Sequence, residues 1–290
     1  PSYLSSRSFK YFWDIRHVLY FILFSYGLSE LFLKSRASLS PAKQFYFLFF
    51  ATFILGLFVE CMQLVISSGR SPDFFDLARN QLGCLLAFFF LIKPQFLVRK
   101  ASLVVLYVLL VVGIIVTLLP LSFAIFDEAL ALRQLPILCD FETPFEKDRW
   151  LEKNKISIVK GGGRKGDRSA RVQLTTEEYS GVSLFYFPHN WQGYKWLHFS
   201  VNNPTGQHFD IVCRIHDSKH KESGLQYADR FNQNYLLQPG WNDVAISLDA
   251  VEQAPFGRKM DLGNIELLSL FVFNQDKPQV IYIDNFYLSR

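Results

Sequence analysis

The chain has 290 residues, half of them hydrophobic and only 19% charged, with 30 Phe, 13 Tyr and 5 Trp. This excludes a disordered chain, which requires low hydrophobicity and high net charge, and four Cys exclude a disulfide scaffold. The net charge of +4 is unevenly spread: residues 1–136 carry 12 Lys/Arg against 7 Asp/Glu, and residues 137–290 carry 18 against 19. Basic residues flanking apolar runs are the pattern of a membrane protein and argue against a nucleic-acid partner.

Four apolar runs follow in order, Val18–Leu33, Phe45–Ile66, Leu82–Val98 and Leu103–Phe126. About 20 mainly apolar residues cross a bilayer as a helix, so the runs predict four transmembrane helices. Lys34, Arg36 and Lys43 lie between the first two, and Lys93, Arg99 and Lys100 lie around the junction of the last two. The positive-inside rule then places these loops in the cytoplasm and everything after Phe126 outside. Arg7, Lys10 and Arg16 count the other way. No short apolar stretch is followed by a small-residue cleavage site, so a cleaved signal would lie upstream of residue 1.

One polar set interrupts the apolar half: Glu60 and Gln63, then Arg70, Asp73, Asp76 and Asn80, with Gly83 after them. Glu60 and Gln63 share a helix face. Asp73, Asp76, Asn80 and Gly83 step by three and four, which makes one stripe. Ser71 or Asp73 suits a cap and Pro72 a first turn, and Gly83 allows a second helix to approach closely. Ionisable groups at membrane depth need partners and mark sites; Arg70 is the expected partner of Glu60, Asp73 or Asp76. An ion-pair latch closing the hairpin is the competing reading.

This series resembles the signature of VanZ-like membrane proteins, and Asp14-x2-His17-x2-Tyr20 is similar to that family's element entering an earlier span. Arg16 and Ala87 depart from the family pattern. The resemblance implies a cluster of Glu60, Gln63, Arg70, Asp73, Asp76 and Asn80 at the outer membrane surface, suited to a lipid phosphate or a sugar. It implies no defined reaction.

From residue 133 the texture changes, dividing a membrane domain (1–132) from an external one (133–290). Alternating runs at Ile156–Val159, Ala170–Leu174, Val182–Phe187, Trp196–Val201, Phe209–Ile215, Val244–Leu248, Leu267–Phe273 and Val280–Leu288 are separated by Gly/Pro/Asn turns. They predict an all-β sandwich or jelly roll. Gly161, Gly162 and Gly163 read as a hairpin rather than a phosphate loop. Trp191, Trp196 and Trp241 are expected in the core. The stretch Asp217–Gln238 reads as one long connection, and His216, Asp217, Tyr227, Arg230, Phe231 and Asn232 around it form a candidate loop for a sugar or a protein.

Asp140-Phe141-Glu142, Asn190-Trp191-x-Gly193-Tyr194, Pro239-Gly240-Trp241-Asn242 and Ile281-Tyr282-Ile283-Asp284-Asn285-Phe286 together resemble a galactose-binding-like jelly roll, similar to carbohydrate-binding modules and to the complex I intermediate-associated domain. The resemblance implies a structural Ca²⁺ on Asp140, Glu142 and Asp284, whose oxygens suit a hard cation; capping of strand ends is the alternative. Cys139 and Cys213 lie outside the membrane, where a disulfide can form, whereas Cys61 and Cys84 read as small apolar fillers.

No complete catalytic constellation is legible, so a binding protein is expected rather than an enzyme. The reading is a bacterial inner-membrane (cytoplasmic-membrane), multi-pass protein with a periplasmic sandwich. Its expected partners are membrane lipids and an envelope glycan or lipid-linked sugar. The competing class is an accessory subunit of a larger membrane protein complex, docking through the sandwich.

Overall fold

A computed structural model describes residues 6–33, 41–66, 74–92 and 100–290. The chain divides into two compact units, Pro1–Ala124 and Ile125–Arg290.

The first unit is helical: α1 (Arg7–Leu28), α2 (Pro41–Ile66), α3 (Phe74–Leu86) and most of α4 (Lys100–Gln134). Ser6 caps α1, its Oγ accepting the N–H of Phe9 at 3.2 Å. Single π-helical turns, Ser29–Leu33 and Ala87–Ile92, extend α1 and α3. Three helical stretches are long and apolar enough to cross a membrane: Lys43–Gln63, Phe74–Leu91 and Val104–Gln134. The expected first span falls on the second half of α1. That helix opens with Arg7, Lys10, Asp14 and Arg16 and does not join the three.

The close packing of α3 on α1 has a residue-level cause at Gly83. A Cβ there would lie 2.5 Å from the Val18 carbonyl oxygen and 2.9 Å from Phe21 Cβ. Only a residue without a side chain lets the two backbones meet this closely. Gly56 plays the same part for α2, where a Cβ would sit 2.7 Å from Asn80 Nδ2.

The second unit is a two-sheet sandwich. Its strands are β1 (Ile137–Cys139), β2 (Ile156–Lys160), β3 (Arg168–Leu174), β4 (Tyr179–Leu184), β5 (Trp196–Asn203), β6 (Phe209–Asp217), β7 (Phe231–Leu237), β8 (Gly240–Ser247), β9 (Ile265–Phe273) and β10 (Gln279–Ser289), with α5 (Leu248–Glu252) after β8. The larger sheet runs β2-β3-β10-β5-β8 with β1 beside β10; the smaller runs β4-β9-β6-β7. All pairings are antiparallel.

Alternation decides what enters the core. Ala170, Val172 and Leu174 of β3 and Ile211, Cys213 and Ile215 of β6 are fully buried, while Arg171, Gln173, Val212 and Arg214 between them are only partly so. Rings form a continuous series through the middle: Phe141 stacks on Trp150 (5.9 Å), Trp150 meets Phe286 edge-on (5.3 Å), and Phe286 stacks on Phe199 (5.5 Å).

Four expectations change. Asp217–Gln238 is not one connection, because β7 occupies Phe231–Leu237 as an edge strand. Phe231 and Leu237 are buried and Tyr235 half-buried, but Gln233 between them is exposed, which breaks the alternation. Trp191 is core, but Trp196 stands on the outer face of the larger sheet, 42% exposed, and Trp241 is half-buried. All four cysteines are free thiols, so Cys139 and Cys213 form no bridge. Both are buried, and burial raises the pKa of each thiol.

The calcium set does not fit. Asp284 Oδ2 accepts the N–H groups of Arg164 (2.6 Å) and Lys165 (3.1 Å), and Oδ1 accepts that of Asn285 (2.7 Å). Glu142 Oε1 accepts the N–H groups of Asp167 and Arg168, both at 2.8 Å, and Asp140 Oδ1 accepts the N–H of Glu142 at 3.3 Å. These oxygens tie strand ends together. Among the described residues no group of three His, Cys, Asp or Glu side chains could hold a metal ion.

Candidate functional site

Two places gather polar chemistry, one in each unit. In the helical unit α3 presents Asp76 and Asn80 inward, both buried, where α1 brings Asp14 and His17. His17 Nδ1 lies 3.2 Å from Asn80 Oδ1, and its Nε2 lies 3.8 Å from Asp76 Oδ2. Arg79 Nη1 donates to Asp76 Oδ1 at 2.6 Å, and Nη2 lies 3.6 Å from Asp14 Oδ2. Glu60 is buried on α2 and Gln63 half-buried one turn on.

Arg70 and Asp73 lie outside the described residues. The guanidinium that meets Asp76 is Arg79, which the sequence reading passed over although it stands three residues along the same helix. Two carboxylates, a guanidinium and an imidazole thus balance one another between α1 and α3. That geometry ties α1 to α3.

In the sandwich, the outer face of β4-β9-β6-β7 carries the second set. Ser183, Ser269, Arg214 and Asn232 stand opposite one another in register as a row across the sheet. Ser269 Oγ donates to Ser183 Oγ at 3.0 Å, and Arg214 Nη2 donates to Ser269 Oγ at 3.3 Å. The Arg214 guanidinium lies 5.4 Å from the ring centre of Phe271. Beside this row, the guanidinium of Arg230 lies 5.0 Å from the ring centre of Tyr227. Burial pulls the Arg230 pKa down.

The decisive feature is unmet hydrogen bonding. Among the described residues, Arg230 Nε and both amide atoms of Asn232 are buried without a partner. Leaving such a group unsatisfied costs about 1–3 kcal/mol, so unpaired buried groups call for a water or a ligand.

His216 borders the same face, its ring 4.6 Å from that of His220 and its Nδ1 3.7 Å from a carboxylate oxygen of Glu266. Burial pulls its pKa down to about 4, so it is a neutral hydrogen-bonding group at pH 7. Asp217 does not belong to the face. It is fully buried and receives the Arg258 guanidinium at 2.6 and 2.8 Å, while Arg258 also holds Asp229. Of the candidate loop, His216, Tyr227, Arg230 and Asn232 therefore come together, and Asp217 is the anchor of the turn beneath them. Arg214 was missed, although it is an outward position of β6, between Cys213 and Ile215.

No protein-family model matches this chain, and no curated protein does. Solved structures do. The chain is similar to the family 11 carbohydrate-binding module from Clostridium thermocellum in complex with a β-1,3-1,4-mixed-linked tetrasaccharide, at 19% identity and a TM-score of 0.40, over 53% of this chain and 94% of that one. It is similar to an exo-β-agarase at 15% identity and a TM-score of 0.43, over 53% of this chain and 24% of that one. A family 30 carbohydrate-binding module of a Clostridium thermocellum cellulosomal cellulase matches at 15% identity and a TM-score of 0.34, over 47% and 82% of the two chains. The carboxy-terminal part resembles these jelly rolls in fold. The VanZ-like resemblance of the helical unit rests on its motifs.

Proposed function

We propose that this is a membrane protein of the bacterial envelope, a four-span VanZ-like bundle whose sandwich lies on the periplasmic side and binds an envelope glycan or lipid-linked sugar. The observation that carries the reading is the unmet pairing of Arg230 Nε and Asn232 on the outer face of the smaller sheet, beside the ring of Tyr227. Sugar recognition needs this combination: an aromatic surface for the C–H face of the ring, and fixed donors and acceptors for its hydroxyls. The cluster of Asp14, His17, Asp76 and Arg79 would then meet the membrane end of the polymer. No reaction is part of the proposal.

The full chain in lipid nanodiscs, probed on an array of envelope glycans, tests this. At least one glycan binds, and Arg230→Ala with Asn232→Ala abolishes that binding. Retention by the double variant, or no binding by the unaltered chain, overturns the reading. A second reading, docking onto a larger membrane complex, is favoured by Tyr179 and Phe273 of the smaller sheet, 61% and 50% exposed. It predicts co-purification of a partner from mild detergent that is lost on replacing those two rings with Ser.

A further inference from the structure

The opposite side of the sandwich has a groove of its own. It encloses about 370 Å³ on the outer face of the larger sheet, and its lining includes Lys165, His198, Ser200, Asp243, Asn285 and Tyr287. We propose that it is a separate binding site for a carboxylate-bearing sugar, a uronic-acid residue of a polysaccharide. It shares no residue with the face described above.

The groove exists because the β2–β3 connection folds over the sheet. Its backbone is fastened to Asp284 of β10 by the N–H groups of Arg164 and Lys165. Its far end is clasped to β8, where Arg164 makes a bidentate pair with Asp243 at 3.0 and 2.5 Å and Ser200 Oγ donates to Asp243 at 2.8 Å. The connection forms one wall. The floor is a stacked pair, His198 of β5 opposite Tyr287 of β10, ring centres 4.6 Å apart and 12° from parallel. The pair gives the groove an aromatic floor.

Two polar side chains in this groove make no hydrogen bond among the described residues. Lys165 Nζ meets no carboxylate among the described residues and lies 5.7 Å from the ring centre of Tyr287. The nearby negative charges are already engaged: Asp243 by Arg164, and Asp284 by three backbone N–H groups. The ammonium is therefore left to attract an anion. Asn285 is the second group. It sits in the β10 bulge between Asp284 and Tyr287 with φ +58°, and its side-chain amide makes no hydrogen bond among the described residues. Bulges re-aim side chains, and left-handed residues other than Gly concentrate at functional sites. Its amide supplies one donor and one acceptor for sugar hydroxyls. A carboxylate on Lys165 and hydroxyls on Asn285, beside the His198–Tyr287 pair, describe one sugar acid.

The experiment uses the full chain in nanodiscs and calorimetric titration with tri-galacturonate, tri-glucuronate and neutral galactotriose. At least one uronate binds about tenfold or more tighter than galactotriose. Lys165→Met abolishes the preference, and Asn285→Gly, which keeps the left-handed backbone comfortable, weakens uronate binding about threefold to tenfold. Arg230→Ala leaves uronate binding unchanged. No uronate binding, or uronate binding unmoved in Lys165→Met, overturns the proposal. Uronate binding lost in Arg230→Ala but kept in Lys165→Met also overturns it, and assigns the ligand to the opposite face instead.

Discussion

Replacing Arg149 should unlock the last turns of α4 from the sandwich. The side chain is fully buried. Its Nε donates to both oxygens of Asp127 at 3.1 and 3.3 Å, and its Nη2 donates to Asp127 Oδ1 at 2.8 Å and to Gln134 Oε1 at 3.1 Å. Its Nη1 donates to the Leu138 carbonyl at 2.8 Å. One guanidinium thus joins Asp127 and Gln134 of α4 to β1 and to the turn Glu146–Arg149. Removing one member of a buried ion pair costs about 3–5 kcal/mol, because the other charge stays desolvated. At roughly 2–4 °C per kcal/mol for a unit of this size, Arg149→Met should lower the unfolding temperature by about 6–20 °C. The reporter is at hand: Trp150 is buried next to it against Phe141 and Phe286, so its fluorescence follows unfolding of the purified chain in detergent. Replacing both charges, Arg149→Met with Asp127→Leu, should recover part of the loss, since Asp127 is then no longer buried without its partner, while the buried Glu146 still lacks the cation beside it. A single variant within about 2 °C of the parent, or a double variant no more stable than the single, would refute the reasoning.

Two further outcomes follow from packing and from titration. Gly83→Val should destabilise the helical unit by about 1–3 kcal/mol, because its Cβ has only the Val18 carbonyl and Phe21 to enter; Gly27→Ala, with nothing within 4 Å, should be neutral or stabilising. Thermal aggregation of the detergent-solubilised variants measures both, and equal behaviour of the two would count against the close approach of α1 and α3. His216 has a folded pKa near 4, below its ordinary value of 6.5, chiefly through burial. Its contribution is complete above pH 6.5 and is lost as pH falls through about 4, with a slope of at most about 1.4 kcal/mol per pH unit. Asp284, pushed up to about 6 by burial, works in the opposite sense, its contribution fading as pH rises through 6. His216→Gln should therefore flatten the acid limb of a stability–pH curve, and an unchanged limb would show that another group sets it.

The sandwich was legible wherever one face of a strand is buried and the other wet, because that is the condition under which alternation appears in the sequence. It failed at β7, an edge strand reading Phe-Asn-Gln-Asn-Tyr-Leu-Leu, whose polar residues cost little at a sheet margin and mask its period. The apolar stretches of α2 and α4 were legible for a simpler reason, that lipid-facing residues need no pattern at all. α1 does not join them, since the charges that open the helix sit on the element that delivers Asp14 and His17 to the cluster.

The candidate sites were legible only in part, and the reason is the same in both units. Residue type and spacing find groups that share one element, as with Asp76 and Asn80 on α3. They do not find groups that pairing brings together. Arg164 reaches Asp243, and Arg258 reaches Asp217, across loops that no period encodes. A carboxylate read from sequence is thus as often an anchor as a ligand: Asp217, Asp140, Glu142 and Asp284 all hold backbone or guanidinium groups in place. What distinguishes a ligand group is the opposite property, a polar atom positioned by its neighbours and left without a partner. Arg230, Asn232, Lys165 and Asn285 carry such atoms, and they lie on the two outer faces of one sandwich, so a substitution on one face leaves the residues of the other in place.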